Sequence, residues 1–141
     1  MSEQDERERL LNEANVAVLA TVGPDGGAQA APIWYLWEDG VFIMSSGRGS
    51  QKHRNVERNP NVTLVVDSRV VPYYAVMAQG TVEIGPQLSD DARLRMAIRY
   101  LGEEMGRAYI ASVSGEDSVT IRLKPRKFIE FSGRAGRTTS G

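Results

Sequence analysis

The chain contains no cysteine. Disulfides, thiolate metal sites and cysteine nucleophiles are therefore excluded. Histidine occurs once, at His53, so a single chain cannot assemble a multi-histidine metal centre. No apolar run approaches the roughly 20 residues a membrane helix needs. The charged segment from Met1 to Arg9 lacks the apolar core of a signal peptide. The expectation is a cytoplasmic protein without a membrane partner. A basic excess is missing too: 17 Lys and Arg stand against 18 Asp and Glu, a net charge of -1, which argues against general nucleic-acid binding. GxSxG, HExxH, Walker and GxGxxG patterns are all absent. No side chains suggest a built-in nucleophile with its base, so an enzyme of this composition would leave the hard chemistry to a cofactor.

What is present is a chain of 141 residues, 41% hydrophobic and 25% charged. That fits one domain over residues 1–141, able to bury roughly 68–70% of its unfolded surface. Residues 1–13 carry a short charged helix whose apolar contacts are Leu10, Leu11 and Ala14. The valine-rich run 14–22 reads as a strand buried on both sides. Pro24-Asp25-Gly26-Gly27 turns it into a second strand, 28–37. Pro32 cannot donate a ladder hydrogen bond and belongs at an edge or bulge. Alternation puts Trp34 on the face opposite Tyr35 and Trp37, with core packing the ordinary role for each. Further strands are expected at 41–45, 62–67, 73–84, 118–123 and 127–131. In the long strand 73–84, Gly80 marks a bulge or a close backbone approach. Tyr73 and Tyr74 open that strand. Ser89 caps an amphipathic helix over 89–105, with Leu94, Ile98, Leu101 and Met105 at helical spacing, and a second short helix covers 107–113. The tail 133–141 is small and polar and reads as mobile. Six to seven strands with tight turns and few helices predict a mainly β fold, a closed or nearly closed antiparallel barrel.

The stretch from Ser45 to Arg58, SSGRGSQKHRNVER, concentrates the chemistry. A strand ends at Ser45 and Ser46, the chain turns through Gly47-Arg48-Gly49, and a helix opens at Ser50. A helix start offers unpaired N–H groups and partial positive charge. Arg48, Lys52, Arg54 and Arg58 add cations, and the whole suits a phosphate group. A solvated basic helix capped by Ser50 is the plain alternative. His53, beside Lys52, reads as solvent-facing.

The run LATVGPDGGAQAAPIWYLWEDGVFIMSSGRGSQKHRNVERNPNVTLVVD, followed by YAVMAQGTVEI, resembles the pyridoxamine 5′-phosphate oxidase-like split β-barrels. Within these it is most similar to the branch that uses the deazaflavin coenzyme F420. The likeness is good over residues 15–85, weaker over 89–112, and returns at SVTIRLKPRKFIEF. It implies a homodimer with two cofactor sites at the subunit interface. Carried over by position, Ser45 and Ser46 would lie beside the cofactor's side chain and phosphate, and Ser50, Gln51 and above all Lys52 would hold the phosphate. Arg48 would help with the phosphate or with an acidic tail, and Pro32, Ile33 and Trp34 would lie along the ring system. The implied activity is hydride transfer from reduced coenzyme F420 to an electron-poor small molecule. FMN is the alternative cofactor, and non-catalytic binding of a flavin, deazaflavin or haem is the third reading. Proton delivery would fall to Tyr35, Tyr74 or solvent, and the substrate pocket to residues 67–74 and 89–117. The tail GRAGRTTSG does not match the substrate-phosphate motif of the true oxidases, and Ala75 stands where flavin-binding members often place glutamine.

Overall fold

Alternating apolar residues build the first hairpin. In the computed structural model, which describes residues 2–113, 117–133 and 137–140, β1 is Ala17–Val22 and β2 is Ala28–Ile33. They pair antiparallel across a turn in which Gly26 adopts φ +86, a left-handed conformation suited to glycine. Ala17, Leu19 and Thr21 of β1 are buried. Val18, Ala20 and Val22 on its other face are only partly covered, so this strand is not buried on both sides as its composition suggests. β2 forms the edge of the sheet, which places Pro32 where its missing N–H does no harm.

The expected single strand 28–37 is two strands. Beyond Ile33 the chain leaves β1, crosses Trp34 and Tyr35, and starts β3, Leu36–Glu38, which pairs with β4, Val41–Gly47. Trp34 and Tyr35 thus sit at the corner between two halves of a curled sheet. Tyr35 faces the core and is fully buried, its hydroxyl donating to the Leu11 carbonyl at 3.0 Å.

Helix α2, Gln51–Arg58, follows β4 and leads to β5, Asn61–Asp67. The twelve-residue β6, Tyr74–Gly85, joins the two halves of the sheet. Along its length it pairs with β5, then with β7, Ser118–Leu123. Its first half also pairs with β8, Lys127–Ser132. The order β2-β1-β5-β6-β7-β4-β3 describes a curled antiparallel half-barrel. Gly80 lies at a close approach: an added Cβ would stand 2.9 Å from the Lys124 carbonyl. Residues 137–140, expected to belong to a mobile tail, form β9 against β8. The remainder of that tail, 134–136 and 141, lies outside the described residues.

Helix α1, Glu3–Leu11, lays Leu10 and Leu11 on the core. The amphipathic helix expected over 89–105 stops at Leu101. It is α3, Asp90–Leu101, with Ser89 as N-cap; Gly102, at φ +87, separates it from α4, Glu103–Ser112. The buried face of α3 is Ala92, Met96 and Ala97, while Met105 is 63% exposed. Leu94, Ile98 and Leu101 are half-buried, and α4 approaches α3 where Gly106 meets the backbone of Ala97 and Ile98. Among the described residues no helix is long and apolar enough to cross a membrane.

Two phenols, Tyr35 fully buried and Tyr74 partly so, give a pH prediction. Burial pushes the Tyr35 hydroxyl well above the ordinary tyrosine value, and burial together with its hydrogen bond to Glu130 does the same for Tyr74. The folded chain therefore keeps protons that the unfolded chain releases near pH 10. Stability is intact below that pH and falls as pH rises above it, by up to about 1.4 kcal/mol per pH unit for Tyr35. Urea midpoints measured on the alkaline side should fall accordingly, with Tyr35 and Tyr74 slow to give tyrosinate absorbance until the chain unfolds. Ionisation of all five tyrosines in one step, without loss of stability, would contradict this.

Candidate functional site

The Gly47-Arg48-Gly49 turn is fixed by its own neighbours. Gly49 takes φ +79, and its N–H donates to His53 Nδ1 at 2.9 Å. His53 is 7% exposed. It is a turn-locking residue rather than the solvent-facing side chain its basic surroundings suggested, since an imidazole that accepts from the turn must fold back under it. Ser50 caps α2 by accepting from the His53 N–H at 3.2 Å. Its hydroxyl also lies 2.7 Å from that of Ser46.

The basic cluster is mostly committed to the protein itself. Arg48 pairs with Asp117 at 3.0 Å. Arg54 donates to the Gly49 carbonyl and Arg58 to the Val22 carbonyl. Gln51 donates to Asn55 at 2.7 Å. Asn55, fully buried, also donates to Thr21 and Gln29, tying α2 to the first hairpin. Of the four cations in the cluster, Lys52 lines a cleft that Arg48, Arg54 and Arg58 do not.

That cleft has a volume of about 380 Å³, within the range of small-molecule sites. One wall is the end of β2 and the corner after it: Pro32, Ile33 and Trp34. A second is the end of β4, with Ser45, Ser46 and Gly47, beside Lys52 on α2. The third is the α3–α4 hairpin, with Arg93, Met96, Ala97, Tyr109 and Ile110. The structure thus brings together Pro32, Ile33, Trp34, Ser45, Ser46 and Lys52. It does not bring Arg48, Ser50 or Gln51 to the lining: Arg48 is turned to Asp117, Ser50 stands behind Ser46, and Gln51 is held by Asn55. Residues 67–74 do not line the cleft either. The 89–113 part of the other expected pocket segment does, and 114–116 lie outside the described residues. Tyr35 and Tyr74 are spent on Leu11 and Glu130 and do not reach the cleft.

Trp34 is held flat by Tyr100, their rings 4.7 Å apart and 9° from parallel. Tyr100 is itself anchored, its hydroxyl donating to the Asn15 carbonyl at 2.9 Å and accepting from the Tyr35 N–H at 3.1 Å. The result is a fixed aromatic wall. At the other end, the hydroxyls of Ser45 and Ser46 and the Lys52 ammonium form a set of donors. Among the described residues no Asp or Glu lines the cleft, and no group of three or more His, Asp or Glu can hold a metal ion. Donors without carboxylates suit a phosphate, so the residues present fit a phosphorylated planar cofactor. Arg93, Tyr100, Tyr109 and Gly106 carried no distinguishing signal in the sequence. Asn55 stood within the quoted motif without a role.

A curled antiparallel half-barrel with an anion corner beside an aromatic wall has the chemistry to hold a phosphorylated planar ligand. Over residues 4–139 the chain matches the family model described as pyridoxamine 5'-phosphate oxidase, and it belongs to that family. Among solved structures, an F420 reductase is 30% identical, with 86% of this chain and 94% of that one aligned at a TM-score of 0.70. A conserved hypothetical protein from Mycobacterium tuberculosis is 26% identical, with 95% and 86% aligned at 0.73. A heme binding protein from Mycobacterium smegmatis is 18% identical, with 100% and 58% aligned at 0.75, a likeness of fold alone. No curated protein matches the chain.

Proposed function

We propose that this chain is a coenzyme F420-dependent oxidoreductase, acting as a homodimer, that reduces an electron-poor double bond in a small molecule. The observation that carries this reading is the single cleft joining the Ser45–Ser46–Lys52 donors to the Trp34 wall. When bound, the reduced deazaflavin would supply a hydride; the one proton that completes the reduction would come from solvent or from Tyr109, which lines the cleft, because Tyr35 and Tyr74 are committed to Leu11 and Glu130. The chain's own part is orientation and exclusion of water. Lys52 and the serines fix the phosphate, while Ile33 and Trp34 position the rings. The 30% identity to an F420 reductase and Ala75 in place of a glutamine favour the deazaflavin over FMN, which would use the same phosphate corner.

The dimer is supported by an apolar ladder on the outer face of the sheet. Pro32, Val18, Val65, Met77 and Ile129 stand opposite one another across β2, β1, β5, β6 and β8, and none is buried. Pro32 belongs both to this ladder and to the cleft, so a second subunit covering the ladder would reach the cofactor.

Fluorescence titration with oxidised coenzyme F420 and, separately, with FMN tests the assignment. The expected result is binding of the deazaflavin in preference to FMN. Lys52→Ala should weaken that binding by about 1–3 kcal/mol, the cost of losing a charge-assisted hydrogen bond. Preference for FMN would move the chain to the flavin branch, and binding of neither would favour a non-catalytic or haem-binding role. A monomer by light scattering at micromolar concentration would remove the dimer from the proposal.

A further inference from the structure

Helix α3 carries three arginines with different fates. Arg95 pairs with Asp91 and Glu38. Arg99 donates to the carbonyls of Leu11, Asn12 and Glu13, closing the end of α1, where helix carbonyls lack partners. Arg93 faces the cleft, and its side chain is only 15% exposed. Its contacts within the chain are long. Nη2 lies 3.4 Å from the Val113 carbonyl, and Nη1 lies 3.8 Å from the carboxylate of Asp90, which is fully exposed to water.

A guanidinium covered to this degree is costly unless an anion shares its charge. Among the described residues the cleft lining contains no carboxylate to do so, and the acidic group of a ligand would supply the anion. The guanidinium's planar fork of donors matches a carboxylate in two-point contact. Lys52 and Arg93 stand on different walls, one on α2 beside Ser45 and Ser46 and the other on α3 with Met96 and Ala97, and the lining also carries the aromatic rings of Trp34 and Tyr109. One ligand group can satisfy the Lys52 corner and leave Arg93 open for another.

We infer that Arg93 is the specificity-determining residue of an acceptor subsite, where it binds the carboxylate of a planar, conjugated small-molecule acid while Lys52 holds the cofactor phosphate. This rests on the cofactor reading above and names the class of acceptor that the same cleft takes. An acidic tail on the cofactor would present the same carboxylate chemistry, and the test separates the two sources.

The probes are naphthoate and its neutral amide, naphthamide, titrated calorimetrically into the chain without coenzyme. Inorganic phosphate is present to fill the Lys52 corner. Wild type should bind naphthoate about ten-fold more tightly than naphthamide, the scale of one charge-assisted contact. Arg93→Gln should remove that preference and leave naphthamide binding intact, which also shows that the variant is folded. Arg93→Lys should restore part of the preference, having the charge without the fork. Equal binding of the two probes by wild type would overturn the proposal, as would a preference that survives in Arg93→Gln. In a second arm, coenzyme F420 is titrated into both proteins. Equal affinity supports the acceptor subsite; a weaker Arg93→Gln assigns the carboxylate to the cofactor tail and overturns it. If neither protein binds the coenzyme, the deazaflavin reading fails, while the naphthoate result still decides the role of Arg93.

Discussion

Asn55→Leu is expected to lower the free energy of unfolding by about 2–4 kcal/mol. The side chain is fully buried and every polar position on it is used. It donates to Thr21 Oγ1 at 2.9 Å and Gln29 Oε1 at 2.8 Å, and it accepts from Gln51 at 2.7 Å and Arg58 at 3.1 Å. Leucine fills nearly the same space but pairs with none of these groups. Gln29, Gln51 and Arg58 reach the surface and can turn to water, so their loss is modest. Thr21 is 3% exposed and cannot, so its hydroxyl carries most of the penalty. Because Lys52 sits on the same helix, cofactor affinity should fall along with stability. Urea denaturation measures the first effect and calorimetry the second. A midpoint within experimental error of wild type would show that α2 is not held by this network.

Gly106→Ala should destabilise the chain by about 1–3 kcal/mol, the usual cost of forcing an extra group into a packed contact. The sign is the test. At an ordinary helix position the same change stabilises by roughly 0.5–1 kcal/mol, because alanine is the better helix former. At Gly106 the new Cβ would lie 2.8 Å from the Ile98 nitrogen and 2.9 Å from its Cα. Both atoms are backbone, so no side chain can rotate away. Helix α4 has to shift from α3, carrying Tyr109 and Ile110 away from Met96 and Ala97 across the cleft. Ligand binding in the cleft should therefore weaken as stability drops. Ala108, exposed on the same helix, supplies the control: Ala108→Gly should cost about 1 kcal/mol by propensity alone and leave the cleft unchanged. A Gly106→Ala protein more stable than wild type would show that the two helices do not pack in this way.

The order of elements was legible because each signal acts over a few residues. Pro24-Asp25-Gly26-Gly27 turns the first hairpin, Ser50 and Ser89 cap helices by reaching amides three residues on, and Pro32 has to find an edge. The anion corner was legible for the same reason: strand end, glycine turn and helix start are contiguous, so Ser45, Ser46 and Lys52 fall together by chain connectivity. The family likeness extended that corner to Pro32, Ile33 and Trp34, which the structure places on the opposite wall of the same cleft.

What the tertiary structure decided is which groups are already occupied. Arg48 and Lys52 look alike in the sequence, but Asp117, distant in the chain and just before β7, claims one of them and not the other. His53 looks like a surface residue until the Gly49 amide folds over it. Tyr35 looks available as a proton donor until Leu11 accepts from it. Met105 looks like part of a core face until the two helices meet at Ala97, Ile98 and Gly106 and leave it exposed. Charge, size and periodicity belong to a residue and its near neighbours, so the sequence carries them. The partner that satisfies a buried polar group, or the backbone that fills the space beside a glycine, comes from elsewhere in the chain, and only the folded molecule brings it into contact.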